Sequence, residues 1–189
     1  MDKIIAFISL ILVLMLVNIS ILKKEDHLAN GKVVYLRLAP VDPRSLMQGD
    51  YMALQFEISN NINSLLYPYN YYSQMEYDEN KNDGYIIVKL DEKNIATFQG
   101  LYTNQKLSND ELLMRYRFRN YEVKFATNAF FFQEGTAEYY EKARYGEFRV
   151  DDKGELLLVG MYDENLIKLG PLKDELELKD QKQRKAIYD

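Results

Sequence analysis

Most of the residues able to do chemistry lie in one loop, Asp42-Pro43-Arg44-Ser45 and then Gly49-Asp50-Tyr51. A carboxylate, a guanidinium and a hydroxyl in one loop raise hydrolysis by carboxylates or by Ser45 as nucleophile, but the plainer account is structural: Asp50 accepts from loop amides and Arg44 pairs with Asp42 or Asp50, holding the turn closed. A serine attacks a carbonyl only when a base takes its proton, and no lysine is placed to activate Ser45. The one histidine of the chain, His27, adjoins an apolar N-terminal run, so a Ser-His-Asp triad or His-rich metal centre in the following domain is excluded by inventory. The absence of cysteine removes thiolate catalysis, disulfides and Cys-based zinc sites. No cofactor and no metal is expected.

Three other groups carry possible chemistry. Glu134, Glu138 and Glu141 could serve as acid–base or metal-binding carboxylates, but charge at a helix start explains them equally well. Arg115, Arg117 and Arg119 alternate along one strand face and invite anion binding; cross-strand pairing with carboxylates is the plainer account. The tyrosines of residues 67–72 offer a stacking surface for sugars or bases, or an aromatic belt near a bilayer. With a net charge of −5, nucleic acid is not an expected partner.

The elements that must position these residues begin with an anchor. Residues 4–22 are apolar except for Ser9, Asn18 and Ser20, and 19 helical residues rise close to the ~30 Å of a hydrocarbon core. The run is longer than a signal-peptide core and is followed by Lys23-Lys24 instead of a cleavage site, so it reads as an uncleaved transmembrane anchor over residues 1–24. The lipid bilayer is its first partner. A polar linker is expected at 25–31, a β-rich domain at 32–171 and a charged tail at 172–189. Within the domain, strands are expected at 32–38, 51–58, 84–90 and 95–102. A long strand near 112–119 changes phase near Asn120, and a hairpin at 147–161 turns over Asp151-Asp152-Lys153-Gly154. A short helix or irregular segment is expected after residue 58, and a second short helix at 137–145 ended by Gly146. The fold class is mainly β (β+α): an N-terminal transmembrane helix, then one antiparallel β-rich domain with one or two short helices.

The stretch Gly49-Asp50-Tyr51-Met52-Ala53-Leu54-Gln55-Phe56 resembles the signature of the GDYXXLXY family, with Phe56 where the motif ends in tyrosine. Asp42-Pro43-Arg44 before it, and Glu134-Gly135-Thr136-Ala137 and Arg149-Val150-Asp151 after it, are similar to that family as well. The resemblance implies a small bacterial protein of the inner membrane, single-pass, its domain periplasmic or extracellular. It marks Asp42, Arg44, Gly49, Asp50, Tyr51, Leu54, Phe56, Glu134 and Gly135 as motif or binding positions and implies no reaction. The loop-then-strand form also resembles type I signal peptidases and self-cleaving repressors, but their nucleophile position falls on Val41, which cannot attack a carbonyl.

These readings converge on a membrane-anchored extracytoplasmic interaction or assembly module, non-catalytic, with other membrane proteins as partners. The alternatives are a cell-envelope hydrolase using carboxylates or Ser45, and an anionic-ligand-binding domain.

Overall fold

A computed structural model describes residues 2–39, 47–48, 51–66, 83–119, 122–127 and 129–171. The apolar N-terminal run forms helix α1 (Asp2–Asn30). It is the one helix among the described residues long and apolar enough to cross a membrane, with a hydropathy of 2.9 over its most apolar window. Its large apolar residues are uncovered by the domain; Ile4, Met15 and Leu22 are each more than 60% exposed. Such a surface is stable only in a non-aqueous setting, which is consistent with a single-pass anchor. Residues 25–30, expected as a polar linker, continue the helix instead. The helix runs through them to Asn30, whose side-chain amide donates to Asp26 Oδ1 at 2.6 Å, one turn back.

Ten strands follow. The first sheet is antiparallel with order β1 (Lys32–Arg37), β9 (Tyr145–Val150), β10 (Leu156–Tyr162). The second has order β5 (Ala96–Leu101), β4 (Gly84–Leu90), β6 (Glu111–Arg119), β7 (Glu122–Lys124), again antiparallel throughout. A small third sheet joins β2 (Met47–Gln48), β3 (Tyr51–Ala53) and β8 (Ala129–Phe131). The protein is therefore mainly β, with α1 and one further α-helix, α2 (Glu57–Leu66), as expected.

Period-two patterning explains the best-formed strands. Along β6, Met114, Tyr116 and Phe118 are 0–5% exposed while Arg115, Arg117 and Arg119 face outward. They pack with Ile86 and Val88 of β4, Val34 and Leu36 of β1, and Phe148 and Val150 of β9 in one core. The phase change expected near Asn120 coincides with the β6–β7 pairing, where Arg119 lies opposite Glu122.

The strand expected over residues 51–58 stops at Ala53. Met52, Leu54, Phe56 and Ile58 are all buried, as the alternation requires, but Glu57 opens α2. Ile58 and Ile62 lie four apart on its inner face, a spacing that serves a helix and leaves the preceding alternation intact. A carboxylate in its first turn suits the helix dipole. Phe56 retains one antiparallel bridge, to Leu38.

The helix expected at 137–145 is shorter: a single 3₁₀ turn spans Ala137–Tyr140, and Gly146 lies inside β9. Thr136 does not cap that turn; its hydroxyl donates to the Gln133 carbonyl at 2.6 Å. Gly146 sits in close packing, where a side chain would make its neighbours shift by a few tenths of an ångström. A Cβ there would meet Phe56 Cε1 at 3.2 Å and Leu158 Cδ1 and Phe148 Cε2 at 3.3 Å. Tyr145 beside it is 2% exposed, and its hydroxyl accepts from Arg37.

Three turns share one device. Asp91 Oδ1 accepts from the amides of Lys93 and Ile95 at 2.9 and 2.8 Å; Asp151 Oδ1 does so from Lys153 and Glu155 at 3.0 and 2.8 Å. Asp163 Oδ1 repeats it with Asn165 and Ile167 at 2.9 and 2.8 Å. The residue three after each aspartate takes a positive φ: Asn94 at 61°, Gly154 at 77°, Leu166 at 59°. Aspartate side-chain acceptors of this kind hold tight turns closed.

Candidate functional site

The described residues of the signature run from Tyr51 to Phe56, and Met52, Leu54 and Phe56 among them pack into the core. Leu54 and Phe56 are 8% and 3% exposed, and the Phe56 ring packs edge-on against Phe148 and Phe125 at centroid distances of 5.4 and 6.3 Å. That contact ties the signature to β9, through the glycine that makes room for it. Tyr51 is half-buried in β3 and lies 5.6 Å from the Phe131 ring of β8, its opposite number in the sheet. Gly135 has a φ of 73° in the turn after β8, where glycine is favoured, and Glu134 before it is exposed. Asp42, Arg44, Ser45, Gly49, Asp50 and the tyrosines of residues 67–72 lie outside the described residues, as does the charged tail at 172–189. Among the described residues, no group of three or more His, Asp or Glu side chains could hold a metal ion.

The arginines of β6 follow the plainer account. Arg115 Nη1 donates to Glu155 Oε1 at 2.5 Å, across to the turn before β10. Arg119 donates through both terminal nitrogens to Asp83, at 2.6 and 3.1 Å. Arg117 turns to a backbone carbonyl, that of Ala126, at 2.7 Å. Burial pulls the Asp83 carboxyl upward, but the bonds from Arg119 and the Phe118 amide, with the charges of Arg119 and Arg115, outweigh it and hold it below the usual carboxylate range.

Two features that sequence reasoning did not single out shape the end of the domain that α1 enters. The first is the junction of α1 with β9. His27 is 8% exposed, and its Nε2 lies 2.9 Å from the Arg149 carbonyl oxygen. The Gly31 amide donates to the His27 carbonyl at 2.9 Å, and Arg149 Nη1 reaches the Gly31 carbonyl at 3.4 Å. A Cβ on Gly31 would sit 2.5 Å from the His27 carbonyl and 2.9 Å from Arg149 Cβ, so the helix and strand touch at a point only glycine fills. Behind this contact Glu147, 4% exposed, accepts from the Tyr162 hydroxyl, and its Oε1 is 3.5 Å from Arg149 Nε. Tyr35 stands edge-on to Tyr162 at 5.2 Å. Burial, reinforced by the Glu147 carboxylate, raises the Tyr162 hydroxyl far above its ordinary range.

The second feature is a cleft of 510 Å³ between β6, the β7–β8 region and the outer edge of β10. Its lining combines Lys24 from α1, Arg115 and Arg117 with the apolar side chains of Phe130, Phe131 and Leu158. One sequence signal pointed here, the alternating arginines; the contribution of Lys24 depends on the folding of α1 onto the domain.

No curated protein and no solved structure matches the chain. A family model described as GDYXXLXY protein matches residues 13–161, from inside α1 to the end of β10. The match runs through the signature strand, the buried Phe56 contact and the hairpin that closes the first sheet. It covers well over half of the chain, which therefore belongs to the GDYXXLXY family.

Proposed function

We propose that this protein is a single-pass, non-catalytic interaction or assembly module of a bacterial inner membrane, its domain held outside the cytoplasm beside other membrane proteins. The observation that carries this reading is the docked end of α1. A tethered enzyme acting on diffusible substrates gains nothing from a fixed orientation, whereas His27, Gly31 and Arg149 tie the helix to β9 with no flexible segment between them. A domain fixed in this way presents the same faces to neighbours in the membrane at all times. The helix adds a second support. Asn18 donates to the Leu14 carbonyl at 2.8 Å and keeps its side-chain carbonyl for a partner. In hydrocarbon such a group favours contact with another helix, by about 0.6–2 kcal/mol.

The test is chemical crosslinking in intact membranes followed by purification of the full chain through an affinity tag. A stable membrane protein recovered in a defined ratio is the expected result. Recovery of the chain alone, under conditions that capture a known membrane complex, would refute the reading. A C-terminal phosphatase fusion tests the orientation: activity is expected, and its absence with a fluorescent cytoplasmic fusion would reverse the side.

A further inference from the structure

We infer that the cleft between β6, β8 and β10 binds the phosphate of an anionic phospholipid from the bilayer that α1 crosses, with Lys24 and Arg117 as its cationic contacts. The location comes first. Lys24 stands two residues beyond Leu22, the last residue of the apolar run, a rise of about 3 Å along the helix. The side chain that closes the cleft therefore belongs to the level of the lipid headgroups. Because α1 is docked on β9, that level and the cleft mouth are held together.

The charges come next. The cleft holds Lys24, Arg115 and Arg117 against Glu155. Glu155 is engaged by Arg115. Arg117 meets a neutral carbonyl, and Lys24 has no ion-pair partner among the described residues. Two cations thus remain for one phosphodiester, in a protein whose net charge is −5. Guanidinium and ammonium groups in one cleft are a recurrent phosphate-binding combination.

The apolar part of the lining selects a lipid over a free ion. Phe130, Phe131, Leu157 and Leu158 share the cleft with the cations, and Phe131 is 73% exposed, more than any other large apolar side chain described. A water-facing phenylalanine beside two cations is an amphipathic surface, matching a phosphate joined to glycerol and the first methylenes of an acyl chain. The volume of 510 Å³ lies within the range of about 300–1,000 Å³ typical of small-molecule sites.

The experiment uses the full chain in vesicles of phosphatidylcholine containing one-fifth phosphatidylglycerol, extracted in mild detergent, with retained lipid counted by native mass spectrometry. Retention of phosphatidylglycerol over phosphatidylcholine is expected at about five times its share of the mixture or more. The double variant Lys24→Gln, Arg117→Gln brings that enrichment close to one, while Lys23→Gln, on another face of α1, leaves it unchanged. Circular dichroism confirms that each variant keeps the β-rich fold. No enrichment, enrichment that survives the double variant, or equal loss in Lys23→Gln would each overturn the site. Displacement of the lipid by millimolar inorganic phosphate would overturn the lipid assignment in favour of a free-phosphate site. The inference depends on α1 spanning the bilayer; failure of that premise shows separately, as protein recovered without membranes.

Discussion

Replacing Gly31 by alanine tests whether the domain is fixed on its helix. The added Cβ would lie 2.5 Å from the His27 carbonyl oxygen, a backbone atom, and 2.9 Å from Arg149 Cβ. An ordinary carbon–oxygen contact is no closer than about 3.3 Å, so roughly 0.8 Å must be found by distorting the last turn of α1, and relieving the contact with Arg149 Cβ moves that turn off β9. Overpacking of this kind costs about 1–3 kcal/mol. The movement also lengthens the 2.9 Å contact between His27 Nε2 and the Arg149 carbonyl. Since ~1.4 kcal/mol is a factor of ten, amides of residues 27–31 should exchange with solvent deuterium roughly 5- to 150-fold faster than in the wild type. The measurement is hydrogen–deuterium exchange by mass spectrometry on the full chain in nanodiscs. Gly100→Ala is the control, because a Cβ there meets nothing within 4 Å. If Gly31→Ala exchanges no faster than Gly100→Ala in this segment, the junction is not the rigid contact described and the argument for a fixed domain fails. If it does exchange faster, the yield of crosslinked partner should fall with it.

Asn18→Leu removes the one amide within the apolar run and should weaken recovery of a membrane partner severalfold without altering the domain's denaturation midpoint. Asp83→Asn should cost about 1 kcal/mol or less at neutral pH, since the Arg119 pair is partly exposed. The Asp83 carboxyl is held low in the folded state, so its contribution is present above the ordinary carboxylate value and lost as pH falls through the folded one. The gap between wild type and variant in urea titrations should therefore narrow as pH falls below the ordinary carboxylate value of 3.8, and a gap that does not narrow there would contradict the pairing. At the alkaline end, burial and Glu147 raise Tyr162 above the ordinary tyrosine value of 10.0, so the folded state resists ionisation that the unfolded chain accepts. Its stabilising effect is complete below that value and falls as pH rises above it, by up to about 1.4 kcal/mol per pH unit. Tyr162→Phe should flatten this decline in a denaturation series from pH 9 to 11.

Local pattern determined much of this protein. The apolar run of residues 4–22 announces a helix long and apolar enough to cross a membrane, because a bilayer imposes length and polarity directly on sequence. Strand β6 was legible because one of its faces lies on the core, and period two records that without reference to any partner; β4 was legible as a short apolar, β-branched run, and its Ile86, Ile87 and Val88 are all buried. The turn over Asp151-Asp152-Lys153-Gly154 was legible for a local reason too: its aspartate bonds only to amides two and four residues on. Tertiary structure decided what local pattern leaves open. Ile58 fits a strand face and a helix face alike; its burial with Ile62 on α2 selects the helix. Gly146 reads as a helix stop until Phe56, ninety residues earlier, fills the space a side chain would need. Residues 25–30 read as a linker because they are polar, yet His27 finds its partner on Arg149, 122 residues away. The cleft follows the same rule: Lys24, Arg117 and Phe131 belong to three elements, and only folding α1 against the sheets makes them neighbours.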